Sequence, residues 1–580
     1  MGGGTFRNKA TGTGADPPFH SSHELHSFRE SGNVSTGGKG LVFLWCLALF
    51  CWWVRYYPPG VPWIVVDDDA RQHVYWTAKY QDPQLFPDDL LTRFVSSNVL
   101  DPIGYKLLYR LGVNFTDPIP LSRILTLVLL LCSLGLLDRF SREWIPDAGG
   151  RLLCGLLFLF YSLYGNSGGI PRVFAYPFLL GFLVFLQKGA YWGAAVIVAM
   201  ETLLYPPMLP NSLALGSWAL ASRFHRGEFG PKWIWDASTL VLVTLAAALF
   251  LTSIYSGGDG EVWGPQITVE QAKAEPEFHE NGRTEFFREN VFAYFLLGRS
   301  GIGLCEIMGF LAILGGMAAF LGFRKLRFPS AAFHLIWTSL ALFVLAHLVL
   351  FKLYLPSRYT SFTIPLALMI AIGANTNPFR EAVRPFLEKR RRFIPEKPRA
   401  RWLGWPAVVL LAIVYAYVQG HGIVRVDSEV AVLDGEEQDM LAFLATLPKD
   451  VVIAGHPCVM DNVPLISRRQ VLVNRELALP YYTGYYAQVR KRLFDLFEAY
   501  YATSRQEVDR FSKAYGVDVW VIRQSDFEPA FLKGRIFDEP FNTVVKKRIG
   551  ENDAFVLPKA LWGLKCFENE RYFVLCKDFD

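Results

Sequence analysis

Apolar runs of about 15 to 20 residues recur along the chain, separated by short polar connections or by longer mixed segments. Eleven runs stand out, at 41–57, 121–137, 151–164, 173–187, 190–205, 207–221, 237–254, 302–322, 331–351, 359–374 and 402–419. A run of about 20 residues crosses a hydrocarbon core of roughly 30 Å as a helix, the form that satisfies its own backbone hydrogen bonds in lipid. The pattern therefore predicts a polytopic α-helical membrane protein with about eleven transmembrane helices. The third to sixth runs are short or broken by Pro and Gly, which also suits half-helices or re-entrant segments.

After residue 420 the period changes. A helix is expected through "EEQDMLAFLATLP", strands at "DVVIAG" and "QVLVNREL", helices within 484–515, and strands at "VDVWVIR" and "YFVLCK". Short apolar runs alternating with helices predict a small soluble α/β domain. Three parts follow: a disordered tail over 1–40, a transmembrane domain over 41–419 with a large loop at 58–120, and the α/β domain over 420–580.

Composition agrees with a membrane protein, for the 580 residues are 52% hydrophobic and 19% charged. Charge also sets an orientation. The connection 375–401 holds nine Lys or Arg against three Glu, and "FRKLR" at 323–327 has three basic residues and no acid, which places both in the cytoplasm. Alternating outward puts 58–120 and 255–300 on the outer side; the first carries eight Asp against five Lys or Arg. The N-terminus is then cytoplasmic, and eleven crossings export the C-terminal domain. A bacterial inner (plasma) membrane is the expected location. Of eight Cys, Cys46, Cys51, Cys132, Cys154 and Cys305 fall in spans, leaving Cys458, Cys566 and Cys576 in the C-terminal domain, where a Cys566–Cys576 disulfide is one option.

The candidate chemistry gathers at the outer face. "IVVDDDARQHVYW" places Asp67, Asp68 and Asp69 just after the first span. One Asp would suffice as the N-cap of a helix starting near Ala70, whereas three adjacent carboxylates repel one another. His73 lies one helical turn after Asp69. Arg123, Glu201, Glu306, His347 and Lys352 sit within a turn or two of outer span ends. Arg172 in "GNSGGIPRVFAYP", and Arg358 with Tyr359 in "LYLPSRYTSF", lie in outer connections. Charges inside a membrane are costly and mark function. Carboxylates that can accept a proton, beside guanidinium groups that grip phosphate, suit an anionic lipid headgroup and an attacking hydroxyl. In the C-terminal domain "GHPCVMDN" offers His456 and Asp461 at a strand end. No GxGxxG or phosphate loop is present, and no nucleic-acid partner is expected.

An acidic motif opening a long first outer loop, an eleven-span body, a late "PSRY" and a soluble C-terminal domain resemble the GT-C class of membrane glycosyltransferases. Dolichyl-phosphate mannosyltransferases and the lipid A aminoarabinose transferase are members of that class. The resemblance implies inverting transfer of a sugar from a polyprenyl-phosphate donor to a lipid or glycan acceptor. It makes Asp67, Asp68 or Asp69 the general base, with the acidic pair Asp68 and Asp69 favoured. Arg358 and Arg172 would hold the lipid phosphate, with Glu201, His73, Tyr359 and Lys352 as further substrate contacts. A WWD-type sequon-binding motif is absent, which disfavours a peptide acceptor. No cofactor is required by this chemistry, although Asp68, Asp69 and Glu201, with Asp88 and Asp89 nearby, offer hard oxygen ligands to Mg or Mn. Two other classes fit the same spans: a transporter, and a non-catalytic lipid-binding or assembly factor.

Overall fold

The first ten apolar runs are helical in the computed structural model, which describes residues 35–57, 64–165, 167–256, 262–353, 355–390, 430–550 and 554–577. The eleventh run, 402–419, and most of the expected tail fall outside the described residues. The bundle helices are α1 (Ser35–Tyr56) and, after the first loop, α5 (Pro118–Ser141) and α6 (Ala148–Gly165). The first loop itself contains α2 (Ala70–His73), α3 (Leu90–Val95) and α4 (Ile103–Gly112). Then come α7 (Ala175–Gln187), α8 (Tyr191–Leu204), α9 (Leu209–His225) and α10 (Pro231–Ser256). The body closes with α11 (Leu304–Leu321), α12 (Ser330–Leu348) and α13 (Thr363–Arg390).

Among the described residues, six segments are long and apolar enough to cross a membrane: Gly38–Tyr56, Pro118–Ser141, Pro231–Ile254, Leu304–Leu321, Ser330–Leu348 and Pro356–Pro385. This is a polytopic membrane fold. Ala148–Leu163, Pro171–Gln187 and Tyr191–Leu204 are shorter apolar helices, in the region where the sequence is broken by Pro and Gly. The large apolar side chains of α10 point away from the protein, with Trp235 74% and Leu249 72% exposed. Such a surface belongs in hydrocarbon and not in water. Inside, α6 and α13 cross closely: a Cβ on Gly150 would lie 2.3 Å from the Gly373 carbonyl oxygen. Small residues permit this approach.

The two ends of the bundle differ. At one, Arg380 reaches Asp147 at 3.5 Å, and Asn375 accepts the Arg327 N–H at 2.8 Å. At the other, β1 (Ile64–Asp67) pairs antiparallel with β2 (Val430–Leu433), which joins the first loop to the C-terminal domain. Helix α13 therefore runs to Arg390 at the first end, whereas the described chain resumes at Val430 on the second.

The C-terminal domain is α/β, as expected. Its sheet runs in the order β4 (Gln470–Val471), β3 (Val452–Gly455), β5 (Val519–Arg523), β7 (Tyr572–Cys576) and β6 (Leu564–Glu568). The first three strands are parallel, and β7 and β6 form an antiparallel hairpin whose Cys566 and Cys576 are disulfide-bonded. Helices α14 (Gly435–Thr446), α15 (Thr483–Tyr500) and α16 (Arg505–Tyr515) flank the sheet. The strand expected over "QVLVNREL" ends at Val471, because Asn474 accepts the Leu477 N–H at 3.0 Å and turns the backbone away.

The mixture of aromatic, apolar and charged residues in "ARQHVYWTAKYQDPQLFPDDLLTRFV" predicts short helices lying flat on the bilayer, and the first loop departs from that form. Only α4 keeps that form, with Ile103, Leu107 and Leu111 exposed and Tyr105 and Tyr109 buried behind them. The rest is covered by the C-terminal domain, with Phe94 of α3 stacked on Tyr485 of α15 at 3.6 Å between ring centroids.

Candidate active site

The three adjacent aspartates lie where β1 passes through a turn into α2, and they engage three different parts of the molecule. Asp67 turns into the bundle. Its carboxylate accepts from Arg55 at 2.9 Å and from the Tyr56 hydroxyl at 2.7 Å, and the residue is buried. Bonded through both oxygens and buried, Asp67 fastens the loop to the end of α1. Asp68 pairs with Arg71. Asp69 lies 2.8 Å from Arg172. It precedes the first turn of α2, but its side chain caps no backbone N–H. The N-cap reading is therefore not realised, and the carboxylates of Asp68 and Asp69 remain partly exposed, at 27% and 28%.

A glycine turn delivers Arg172 to this position. Gly168 and Gly169 adopt φ of +85° and +61°, and a Cβ on Gly169 would lie 2.5 Å from the Ser122 backbone. Its N–H is held by the Thr126 hydroxyl and its carbonyl by that of Tyr109, both at 2.9 Å. Arg358 and Arg299 also act electrostatically on Asp69. Burial pushes the Asp69 carboxyl up, but Arg172, His73, Arg358 and Arg299 together outweigh it and hold the group below its usual range. One anionic side chain thus feels cationic groups from four connections of the bundle, a ring in electrostatic terms in which Arg172 makes the direct contact.

His73 belongs to this ring. Its Nδ1 lies 2.5 Å from Asp101, whose other oxygen accepts the Trp76 indole N–H at 2.8 Å. Burial lowers its pKa, but the charge and hydrogen bond of fully buried Asp101, assisted by Asp69, win and raise it. The pairing therefore favours the cationic form more than in a free imidazole.

Other expected residues lie elsewhere. Glu201 is fully buried on α8 and accepts the Ser212 hydroxyl at 2.7 Å; it does not join Asp68 and Asp69. The Tyr359 hydroxyl is spent on the Leu353 carbonyl, and Lys352 is exposed just beyond α12. Asp89 caps α3 by accepting the Leu91 and Thr92 N–H groups, and Asp88 is exposed beside it. Arg123 donates to the Val65 carbonyl at 3.0 Å and stacks on Tyr56. His456 is buried in the C-terminal domain, donating to the Ile536 carbonyl and capping the turn at Pro457–Met460.

The third carboxylate near Asp68 and Asp69 is Glu476, from the C-terminal domain. One oxygen from each of the three lies within 4.8 Å of the others. Three hard oxygen donors suit Mg or Mn in type, and a spacing of up to 4.8 Å would have to tighten to bring all three to about 2.1 Å from one ion. Each donor already has a guanidinium neighbour: Arg71 on Asp68, Arg172 on Asp69, and Arg71 and Arg283 on Glu476. Arg71, Asp101, Arg283, Arg299 and Glu476 were not among the expected site residues. Arg71 sits in the acidic stretch itself, three residues from Asp68, whereas long-range folding gathers the other four and no local motif marks them.

The sequence matches no family model and no curated protein. Solved structures similar to this chain include an oligosaccharyltransferase, ArnT and an arabinofuranosyltransferase. The oligosaccharyltransferase from Archaeoglobus fulgidus in its apo form is 10% identical, with a TM-score of 0.49 over 88% of this chain and 72% of that one. ArnT from Cupriavidus metallidurans, solved bound to undecaprenyl phosphate, is 12% identical, with a TM-score of 0.47 over 93% of this chain and 98% of the other. Arabinofuranosyltransferase AftD from Mycobacteria is 13% identical, with a TM-score of 0.47 over 85% of this chain and 37% of its own length.

Proposed function

We propose that this protein is an inverting membrane glycosyltransferase that moves a sugar from a polyprenyl-phosphate donor to a hydroxyl acceptor at the outer face of the membrane, with Asp69 as the general base. The observation that carries this reading is the pairing of partly exposed Asp69 with Arg172 inside a ring completed by Arg358, Arg299 and His73. A phosphate is the ligand such a ring suits, because guanidinium forks bind it bidentately and the surplus positive charge exceeds what one carboxylate can neutralise.

In this reading Arg358, Arg172 and Arg299 hold the donor phosphate while its isoprenoid tail remains among the exposed apolar side chains of the bundle. The acceptor oxygen attacks the anomeric carbon opposite the phosphate and gives its proton to the Asp69 carboxylate. A C–O bond forms as the bond from the anomeric carbon to the phosphate oxygen breaks, and polyprenyl phosphate leaves with the electron pair. The arginines stabilise the charge growing on that oxygen. The carboxyl of Asp69, kept below its usual range, is ionised at neutral pH and ready to accept. His73, tied to Asp101, adds positive charge on the phosphate side. A divalent ion held by Asp68, Asp69 and Glu476 would add Lewis-acid polarisation of phosphate oxygens.

The test is transfer from undecaprenyl- and dolichyl-phosphate hexose and pentose donors by the purified full chain. Asp69→Asn is expected to lower kcat by about 10² to 10⁴, the usual contribution of a general base, while donor binding persists. Asp67→Asn is expected to reduce stability more than the chemical step. Full activity of Asp69→Asn would remove the base assignment.

A further inference from the structure

Glu476 lies in the loop after β4 and is 3% exposed. Two separate segments converge on its carboxylate, and a third contact holds its backbone N–H. From α2, Gln72 donates at 2.8 Å and Arg71 approaches at 3.5 Å. From the second large loop, Arg283 approaches at 3.4 Å and fixes the same stretch by donating to the Arg475 carbonyl at 2.9 Å and the Glu476 carbonyl at 3.2 Å. From its own domain, Asp461 accepts the Glu476 N–H at 2.8 Å. Arg71 continues the chain to Asp68, through its carboxylate and its carbonyl oxygen. It also reaches Asn462, which donates in turn to Glu437 at 2.8 Å.

Helix α2 has four residues and no side-chain cap, so it has little stability of its own. Its place is set by what grips its side chains: Asp101 holds His73, and Glu476 holds Gln72 and Arg71. The Gln72 bond, at 2.8 Å to a buried carboxylate, has the length of a strong charge-assisted one, and removing Glu476 would leave Gln72 and the two longer-range guanidinium partners desolvated without it.

We infer that Glu476 is a positioning residue through which the docked C-terminal domain sets the turn bearing Asp68 and Asp69. The inference rests on the glycosyl-transfer reading for its consequence, namely that a transferase lacking this grip keeps its donor site and loses rate. The arginines assigned to the donor phosphate, Arg172, Arg299 and Arg358, come from bundle connections outside α2 and the Glu476 loop, so the donor site is expected to outlast the loss of this grip. The C-terminal domain is then a component of the catalytic centre.

The experiment compares the full-length protein in lipid nanodiscs with Glu476→Gln, which preserves size, and Glu476→Ala. Hydrogen exchange reads positioning without any substrate. Both variants are expected to speed exchange across residues 68–76 while β5 and β7 stay protected. In the transfer assay, kcat is expected to fall at least tenfold with KM for the polyprenyl-phosphate donor within about twofold of wild type. Glu476→Asp should recover part of the rate, and Arg71→Ala combined with Glu476→Ala should cost far less than the product of the single effects. Unchanged exchange at 68–76 in both variants would overturn the inference. So would deprotection spread over β5 and β7, which would make Glu476 a fold residue only. If wild-type protein transfers no sugar from any donor tested, the functional reading falls, and hydrogen exchange still decides the positioning role.

Discussion

Asp67, Asp68 and Asp69 are chemically identical and adjacent, and their partners alone separate their roles. Asp67 is closed off by Arg55 and Tyr56, Asp68 is joined through Arg71 to the C-terminal domain, and Asp69 faces the arginine ring. The sequence shows that three like charges need compensation but not which cation serves which carboxylate. His456 illustrates a role that local sequence also hides. Its Nδ1 accepts the Cys458 N–H while Nε2 donates to the Ile536 carbonyl, so the folded state requires the neutral ring. Burial lowers its pKa against the weaker pull of Asp526. The unfolded chain therefore binds the proton more readily, and the stability from this residue is present above about pH 6.5 and is lost as pH falls below it. Thermal unfolding of the C-terminal domain should show a falling midpoint between about pH 7 and 5, and His456→Asn, which can keep the cap, should flatten that slope. A slope unchanged by the substitution would contradict the assignment.

At the scale of elements, the glycine turn before Arg172 is decisive. Gly169→Ala would force a Cβ against the Ser122 backbone at a φ unfavourable for alanine, at a cost of about 1 to 3 kcal/mol. Arg172 would move away from Asp69, so donor affinity should weaken together with thermal stability; a normal donor affinity would contradict the role of the turn. Helices were largely legible because a 3.6-residue period in a long apolar run leaves little choice. The α/β character of the C-terminal domain was legible for a similar reason, down to β5 and β7. What escaped was a short strand such as β2, four residues whose pairing with β1 bridges more than 360 positions in sequence. Glu201 was attractive as an intramembrane acid, yet Ser212 on the neighbouring helix engages it, a contact that helix packing alone reveals.

For the whole molecule, charge patterning and structure meet at the same division. The basic segments at 323–327 and near Arg380 share one end of the bundle, and the acidic loop and C-terminal domain share the other. A membrane-impermeant thiol reagent applied to intact cells should label Asn569→Cys in the β6–β7 turn and spare Arg324→Cys; the reverse pattern would overturn the orientation. The disulfide between Cys566 and Cys576 suits an oxidising outer compartment.

The central claim, that the arginine ring holds a polyprenyl phosphate, is tested most directly by extracting the gently solubilised protein and identifying its bound lipid by mass spectrometry, in wild type and in Arg358→Ala. The account predicts a polyprenyl phosphate or its sugar adduct with wild type, reduced about tenfold or more in the variant, as expected for losing a charge-assisted contact of about 1.5 to 3 kcal/mol. Bulk phospholipid alone in both would contradict it.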